Sequence, residues 1–239
     1  MPFLLAVVAL CLAGFVHGFT GFGAAMTIMA LLPLLLDFDE ALFLGAFFTL
    51  PAATTLLVQT RKHFRWRDAW PLIAGAVIGT PLGLLIVAHL DRVILIRGLG
   101  VVLIVFSVNE LLLSRIWTLR VPGWMGLPIG MICGILGAAF NIGGPPALIW
   151  VYARPWRREQ AVATLQVMFL FNSGLRLILT APSGEASSRV LIVCALALVP
   201  FLLITLFGMR LAARVPPKRF KQLVLCALIA MGCHYLFRG

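Results

Sequence analysis

Gly14-Phe-Val-His-Gly-Phe-Thr-Gly-Phe-Gly23 and Gly134-Ile-Leu-Gly-Ala-Ala-Phe-Asn-Ile-Gly143 each place a run of helix breakers inside a long apolar stretch. A broken helix is tolerated within a bilayer only where protein or a water-filled cavity satisfies the freed backbone, so paired breaks point to a binding site. The two runs are in register. A shift of 120 residues lays Gly14 on Gly134, Gly23 on Gly143, Ala24 on Gly144, Ala25 on Pro145 and, further along, Asp39 on Glu159. The chain reads as two membrane repeats, 1–119 and 120–239, forming a single membrane domain.

Composition agrees. With 62% hydrophobic residues, 11% charged and a mean hydropathy of +1.07, the 239 residues carry too little polar surface to coat a globule, so an all-α integral membrane protein is expected. The net charge of +11 does not indicate nucleic acid, because Lys and Arg sit in short clusters between apolar runs. Met1-Pro-Phe-Leu-Leu5 has no basic leader character and reads as the start of the first membrane segment. The five cysteines and four histidines show no metal-ligand spacing. No disulfide, metal or cofactor is expected. His17 alone stands beside a break, where helix packing is the favoured role over ligand binding.

Six stretches have the length of complete spans: Leu42 to Val58, Trp70 to Ala88, Val93 to Leu112, Ala161 to Thr180, Val190 to Met209 and Phe220 to Phe237. Pro2 to Leu36 and Trp124 to Tyr152 are too long for one upright helix and too short for two spans with a turn. Each is either an oblique full crossing or a re-entrant hairpin, and basic clusters arbitrate. With hairpins, Arg61, Lys62, Arg65 and Arg67 share one face with Arg115, Arg120, Arg154, Arg157, Arg158, Arg210, Arg214, Lys218, Arg219 and Lys221. That gathers most of the 19 basic residues on the cytoplasmic side and leaves the loops at 37–40, 89–92 and 182–188 outside. It also makes the halves inverted repeats, each a Gly-broken hairpin plus three transmembrane helices, a pattern that recurs among secondary transporters.

The second arm of each broken segment begins near Gly23 or Pro145, and a helix N-terminus offers unpaired N–H groups and partial positive charge to an anion. Thr20, Gly21, Gly23, Asn141, Gly143 and Gly144 are the candidate backbone and side-chain donors. Valine at Gly143 or Gly144 is expected to block them in a folded protein. The competing reading is that these glycines only let helices approach closely. Asn172 and Arg176, four residues apart on one span, join the candidates, since an arginine grips oxyanions well. Snorkelling of Arg176 to the interface is the alternative there. Gln166 lies deeper on the same segment.

Only Glu110 among the eight carboxylates falls in a span, near its cytoplasmic end and within reach of Arg115. Coupling through a midplane carboxylate is therefore not expected. The chain has no Walker loop, no His-Glu-x-x-His and no nucleophile elbow, which argues against an ATPase or an embedded enzyme. A secondary transporter for a small anion is the leading reading, and an anion channel or uniporter with the same site the alternative. A lipid-facing surface and a homodimer interface look alike in sequence, so a homodimer stays open.

The duplicated breaks, the Gly137 to Pro146 run Gly-Ala-Ala-Phe-Asn-Ile-Gly-Gly-Pro-Pro and the basic loop Arg61 to Arg67 resemble the TauE/SafE family of bacterial membrane transporters along nearly the whole chain. The family often has more glycine where this chain has Ala24 and Ala25. The resemblance implies a carrier in the bacterial cytoplasmic (inner) membrane for small sulfur-containing or organic anions, such as sulfite or organosulfonates.

Overall fold

A computed structural model describes residues 2–113, 121–181, 187–214 and 218–238. Arg115, Arg120, the 119/120 repeat boundary and positions 182–186 of the expected outer loop lie outside the described residues, as do the side chains of Lys218 and Arg219. Among the described residues the elements are helical and no strand occurs. In chain order they are α1 (Pro2–Thr20), α2 (Ala24–Leu31), α3 (Phe38–Thr60), α4 (Trp66–His89), α5 (Arg92–Val108), α6 (Gly126–Phe140), α7 (Gly144–Tyr152), α8 (Arg158–Thr180), α9 (Ser188–Ala212) and α10 (Lys218–Arg238). Among the described residues eight helical stretches are long and apolar enough to cross a membrane, which makes this a multi-pass membrane protein. They correspond to the six expected spans and the first arms of the two broken segments.

The 120-residue register extends to the elements themselves. Thr20 ends α1 and Phe140 ends α6, Ala24 begins α2 and Gly144 begins α7, and α3 at 38–60 maps onto α8 at 158–180. The breaks are narrower than the glycine runs suggest. In the first, Gly21 (φ 85°) and Gly23 (φ 98°) adopt the left-handed conformation that only glycine enters without strain. In the second, Asn141 takes that role at φ 56°, an excursion its short polar side chain tolerates. Gly14, Gly18, Gly134 and Gly137 stay helical.

Those helical glycines do pack, as the competing reading supposed. On Gly18 a Cβ would stand 2.1 Å from the Thr205 carbonyl oxygen, and on Gly134 2.3 Å from that of Ala76, so only glycine admits these backbones to one another. The first seam joins α1 to α9; the second joins α6 to α4 through Gly75, Gly79, Gly83, Gly130 and Gly134. Hydrophobic burial gives little drive between helices in lipid, so close van der Waals seams of this kind supply the cohesion.

Helix directions follow from the contacts. Gly14 meets Phe201 and Gly18 meets Met209, so α1 and α9 run parallel; Gly130 against Leu72 and Gly134 against Thr80 make α6 and α4 parallel too. By contrast α3 and α8 are antiparallel: Ser187 Oγ, just beyond α8, donates to Glu40 Oε1 (3.0 Å) at the start of α3, and Gln160 Nε2 donates to Asp68 Oδ2 (3.1 Å) beyond its end. Helices α5 and α10 are antiparallel as well, with Gly100 beside Gly232 and Glu110 paired with Lys221. Lys221 is thus a cation at Glu110, and Arg115, expected within its reach, lies outside the described residues.

The arms of the second broken segment fold back on each other. Trp150 near the end of α7 lies against Gly126 at the start of α6, and the Arg154 guanidinium against Gly123. In the first segment α2 turns back along α10, with Met26 near Val224 to Leu228 and the Tyr235 hydroxyl donating to Ala30 O (2.8 Å). One end of the bundle consequently carries Asp37, Asp39, Glu40, Asp91 and Ser187, and the other Arg61, Lys62, Arg65, Arg67, Arg154, Arg157, Arg158, Arg210, Arg214 and Lys221.

Candidate functional site

The two breaks meet at a single cavity. Its walls include Gly23, Ala24, Ala25 and Met26 from the first turn of α2, Gly143 and Gly144 at the start of α7, Asn141, Asn172, Ser173, Phe169, Gly137, Thr49, Phe22 and His17. Thr49 and Phe169 are the middle residues of the 23-residue helices α3 and α8, which sets the cavity halfway along the spans. Helix first turns have N–H groups without intrahelical partners, and here two such turns face one space. Pro145 and Pro146 have no N–H, so the donors at α7 come from Gly143 and Gly144.

Side chains fix the geometry around them. Asn141 Nδ2 donates to Leu42 O (2.7 Å) on α3, with its amide filling the space above Gly45, so its side chain braces the break. Asn172 fills the space over Gly137 and reaches Cys133 O at 3.4 Å, a long bond that leaves the amide oriented but weakly held. Thr49 donates back to Gly45 O (2.7 Å).

Of the residues anticipated for the site, Gly23, Asn141, Gly143, Gly144 and Asn172 line the cavity; Thr20, Gly21 and Arg176 do not. The Thr20 hydroxyl closes the loop onto Val16 O (2.8 Å) and Phe22 O, and the Gly21 N–H is taken by His17 O (2.8 Å). Gln166 Nε2 donates to Gly21 O (3.1 Å), tying α8 to the first break. Arg176 is fully buried, so it does not snorkel; its Nε donates to Ala138 O (3.2 Å) in the last turn of α6, where a cation complements the helix dipole. Gly143 faces backbone, with a Cβ placed 2.5 Å from Cys133 O, whereas at Gly144 the nearest atoms are Phe169 Cζ (3.3 Å) and Met26 Cε (3.5 Å). Valine at Gly143 would therefore strain the fold as well as the site, and Gly144 is the cleaner position.

His17, Thr49 and Phe169 were not anticipated as lining residues. The signal was available, because His17 maps on Gly137 and Thr49 on Phe169 under the 120-residue shift. The cavity is partly open and leaves about 30 Å³ to the centres of water-sized molecules, room for more than one water. Among the described residues no Asp, Glu, Lys or Arg lines it. Beyond Phe22, Gly23 and Met26 a smaller cavity reaches Lys221, whose Nζ lies 5.4 Å from the Phe22 ring centre. A wider groove of about 620 Å³ at the acidic end, beside Asp39 and Arg92, is remote from the breaks.

Residues 5–235 match the family model described as Sulfite exporter TauE/SafE. A protein of Cupriavidus necator called "Probable sulfite/organosulfonate exporter TauE" is 23% identical, with 96% of this chain and 92% of the relative covered. A "Probable inner membrane transporter protein TsaS" of Comamonas testosteroni is 22% identical over 72% of each chain. No solved structure matches.

Proposed function

This chain belongs to the sulfite exporter TauE/SafE family, a family of membrane transporters rather than enzymes, and from that premise we propose a secondary transporter for a small sulfur-containing or organic anion such as sulfite or an organosulfonate. The observation that carries the reading is the one cavity faced by the first turns of α2 and α7. N–H groups of Gly23, Ala24, Ala25, Gly143 and Gly144 would hold the oxyanion, with Asn172 adding a side-chain amide. The apolar walls from Met26 and Phe169 would exclude water and strengthen those dipoles.

The halves act as inverted repeats in this proposal, with the bacterial cytoplasmic membrane as the setting and the basic end facing the cytoplasm. The support is the shared register of element boundaries, the antiparallel pairs α3/α8 and α5/α10, and the exchanged seams α1/α9 and α6/α4, a pattern that a two-fold axis in the membrane plane generates. Alternating access would follow from rocking one hairpin with its seam partner against the other.

The test is thermal stabilisation of purified protein by sulfite, sulfate, thiosulfate, sulfoacetate and acetate, beside Gly144→Val. Stabilisation of wild type alone is expected for at least one anion. No stabilisation by any of them, or equal stabilisation of the variant, would sink the proposal. Saturating flux in proteoliposomes distinguishes carrier from channel.

A further inference from the structure

We propose that His17 takes up a proton as the anion binds, so that anion and proton travel together. The inference rests on the anion-site reading above. His17 is 2% exposed, lines the cavity, and neither ring nitrogen finds a hydrogen-bond partner among the described residues. The imidazole approaches the backbone of Ala52 without a full hydrogen bond. A buried polar ring facing a cavity with no partner is what a ligand donor looks like before its ligand arrives.

Charge singles it out further. Helix α2 contributes no titratable side chain, α3 holds Asp39 and Glu40 in its first turn, and α9 has Arg189 and Arg210 near its ends. On α8 the charged groups are Arg158 and Glu159 at the start and Arg176 on Ala138 O. Cys133 sits behind Gly143 on α6, Tyr152 ends α7, and the Glu110–Lys221 pair of the α5 and α10 side lies beyond Phe22. Among the described residues His17 is therefore the one titratable group on the wall itself.

Burial opposes a charge on either partner alone: a lone imidazolium or a lone anion loses its hydration there. Together they neutralise each other, so each raises the other's affinity by the same factor. The balance is simple. One proton moves from bulk water to the free ring nitrogen, the imidazolium N–H donates to the anion, and both leave when the cavity opens on the far side.

The test uses methanesulfonate and sulfate, which stay ionised where sulfite titrates. Calorimetric titrations in two buffers of different ionisation heat count protons taken up, across about pH 5.5–8.5. Wild type should bind about one proton per anion and lose roughly tenfold in affinity per pH unit in the upper part of that range. His17→Gln and His17→Asn should bind more weakly, with no proton uptake and a flat pH profile. Wild-type binding without proton uptake, or unchanged uptake in either variant, would overturn the proposal while leaving the anion site standing. Wild type that binds no anion at all would remove the site reading and this inference with it.

Discussion

Gln166 on α8 donates its side-chain amide to the carbonyl oxygen of Gly21 at 3.1 Å, joining positions 145 residues apart. Gly21 has left-handed backbone, and a donor on the fully buried Gln166 helps hold the first break in shape. Gln166→Leu leaves that carbonyl without its donor, a loss of about 1–3 kcal/mol. The melting temperature should fall and anion affinity with it, since the break sets where the first turn of α2 points. An unchanged melt would mean that the bond is dispensable.

Gly143 and Gly144 should separate stability from binding. Gly144→Ala adds a methyl that meets only the mobile ends of Phe169 and Met26, so the melt should shift by less than about 1 kcal/mol equivalent while anion affinity drops about tenfold. Gly143→Ala drives its methyl into the Cys133 carbonyl and should cost about 1–3 kcal/mol. Melting curves with and without anion check both.

Arg176 should behave as a brace. Arg176→Met removes the donor on Ala138 O and should lower stability by about 1–3 kcal/mol. The salt dependence of anion affinity should stay as in wild type, because the guanidinium stands off the cavity wall. A flattened salt dependence would instead give Arg176 a direct role in attracting the anion.

The directions of the helices predict which loops share a face. In a background without native cysteines, Asp37→Cys and Ser187→Cys should react with a membrane-impermeant maleimide added to intact cells. Arg65→Cys and Arg157→Cys should react only after the membrane is opened. Opposite labelling of Asp37→Cys and Ser187→Cys would contradict the contact between Ser187 and Glu40.

Much of the architecture was legible because membrane spans announce themselves by length and apolar content, and the 120-residue register located both breaks and their cavity-lining glycines. What stayed illegible was the division of labour among identical residues. Gly14, Gly18 and Gly134 lie in the same runs as the break glycines, yet they serve the seams, and only the neighbouring backbone tells the two uses apart. Arg176 likewise carries no mark in sequence of whether its guanidinium meets solvent, ligand or a helix end. His17 read as a packing residue because its cavity is assembled from α2, α3, α7 and α8, elements far apart in the chain.

The exchange of seams has a consequence for synthesis. Gly18 packs on Thr205, so α1 leaves the ribosome about 190 residues before its partner exists, roughly 10–40 s earlier at ordinary bacterial elongation rates. During that interval its glycine-rich face has no protein neighbour, and a hairpin with left-handed glycines lies exposed to lipid. Helices α4 and α6 meet much sooner. The second hairpin can thus seat itself while the chain is still being made, whereas the first must wait on the insertion machinery until α9 arrives, and truncation before α9 would orphan the segment that was made first.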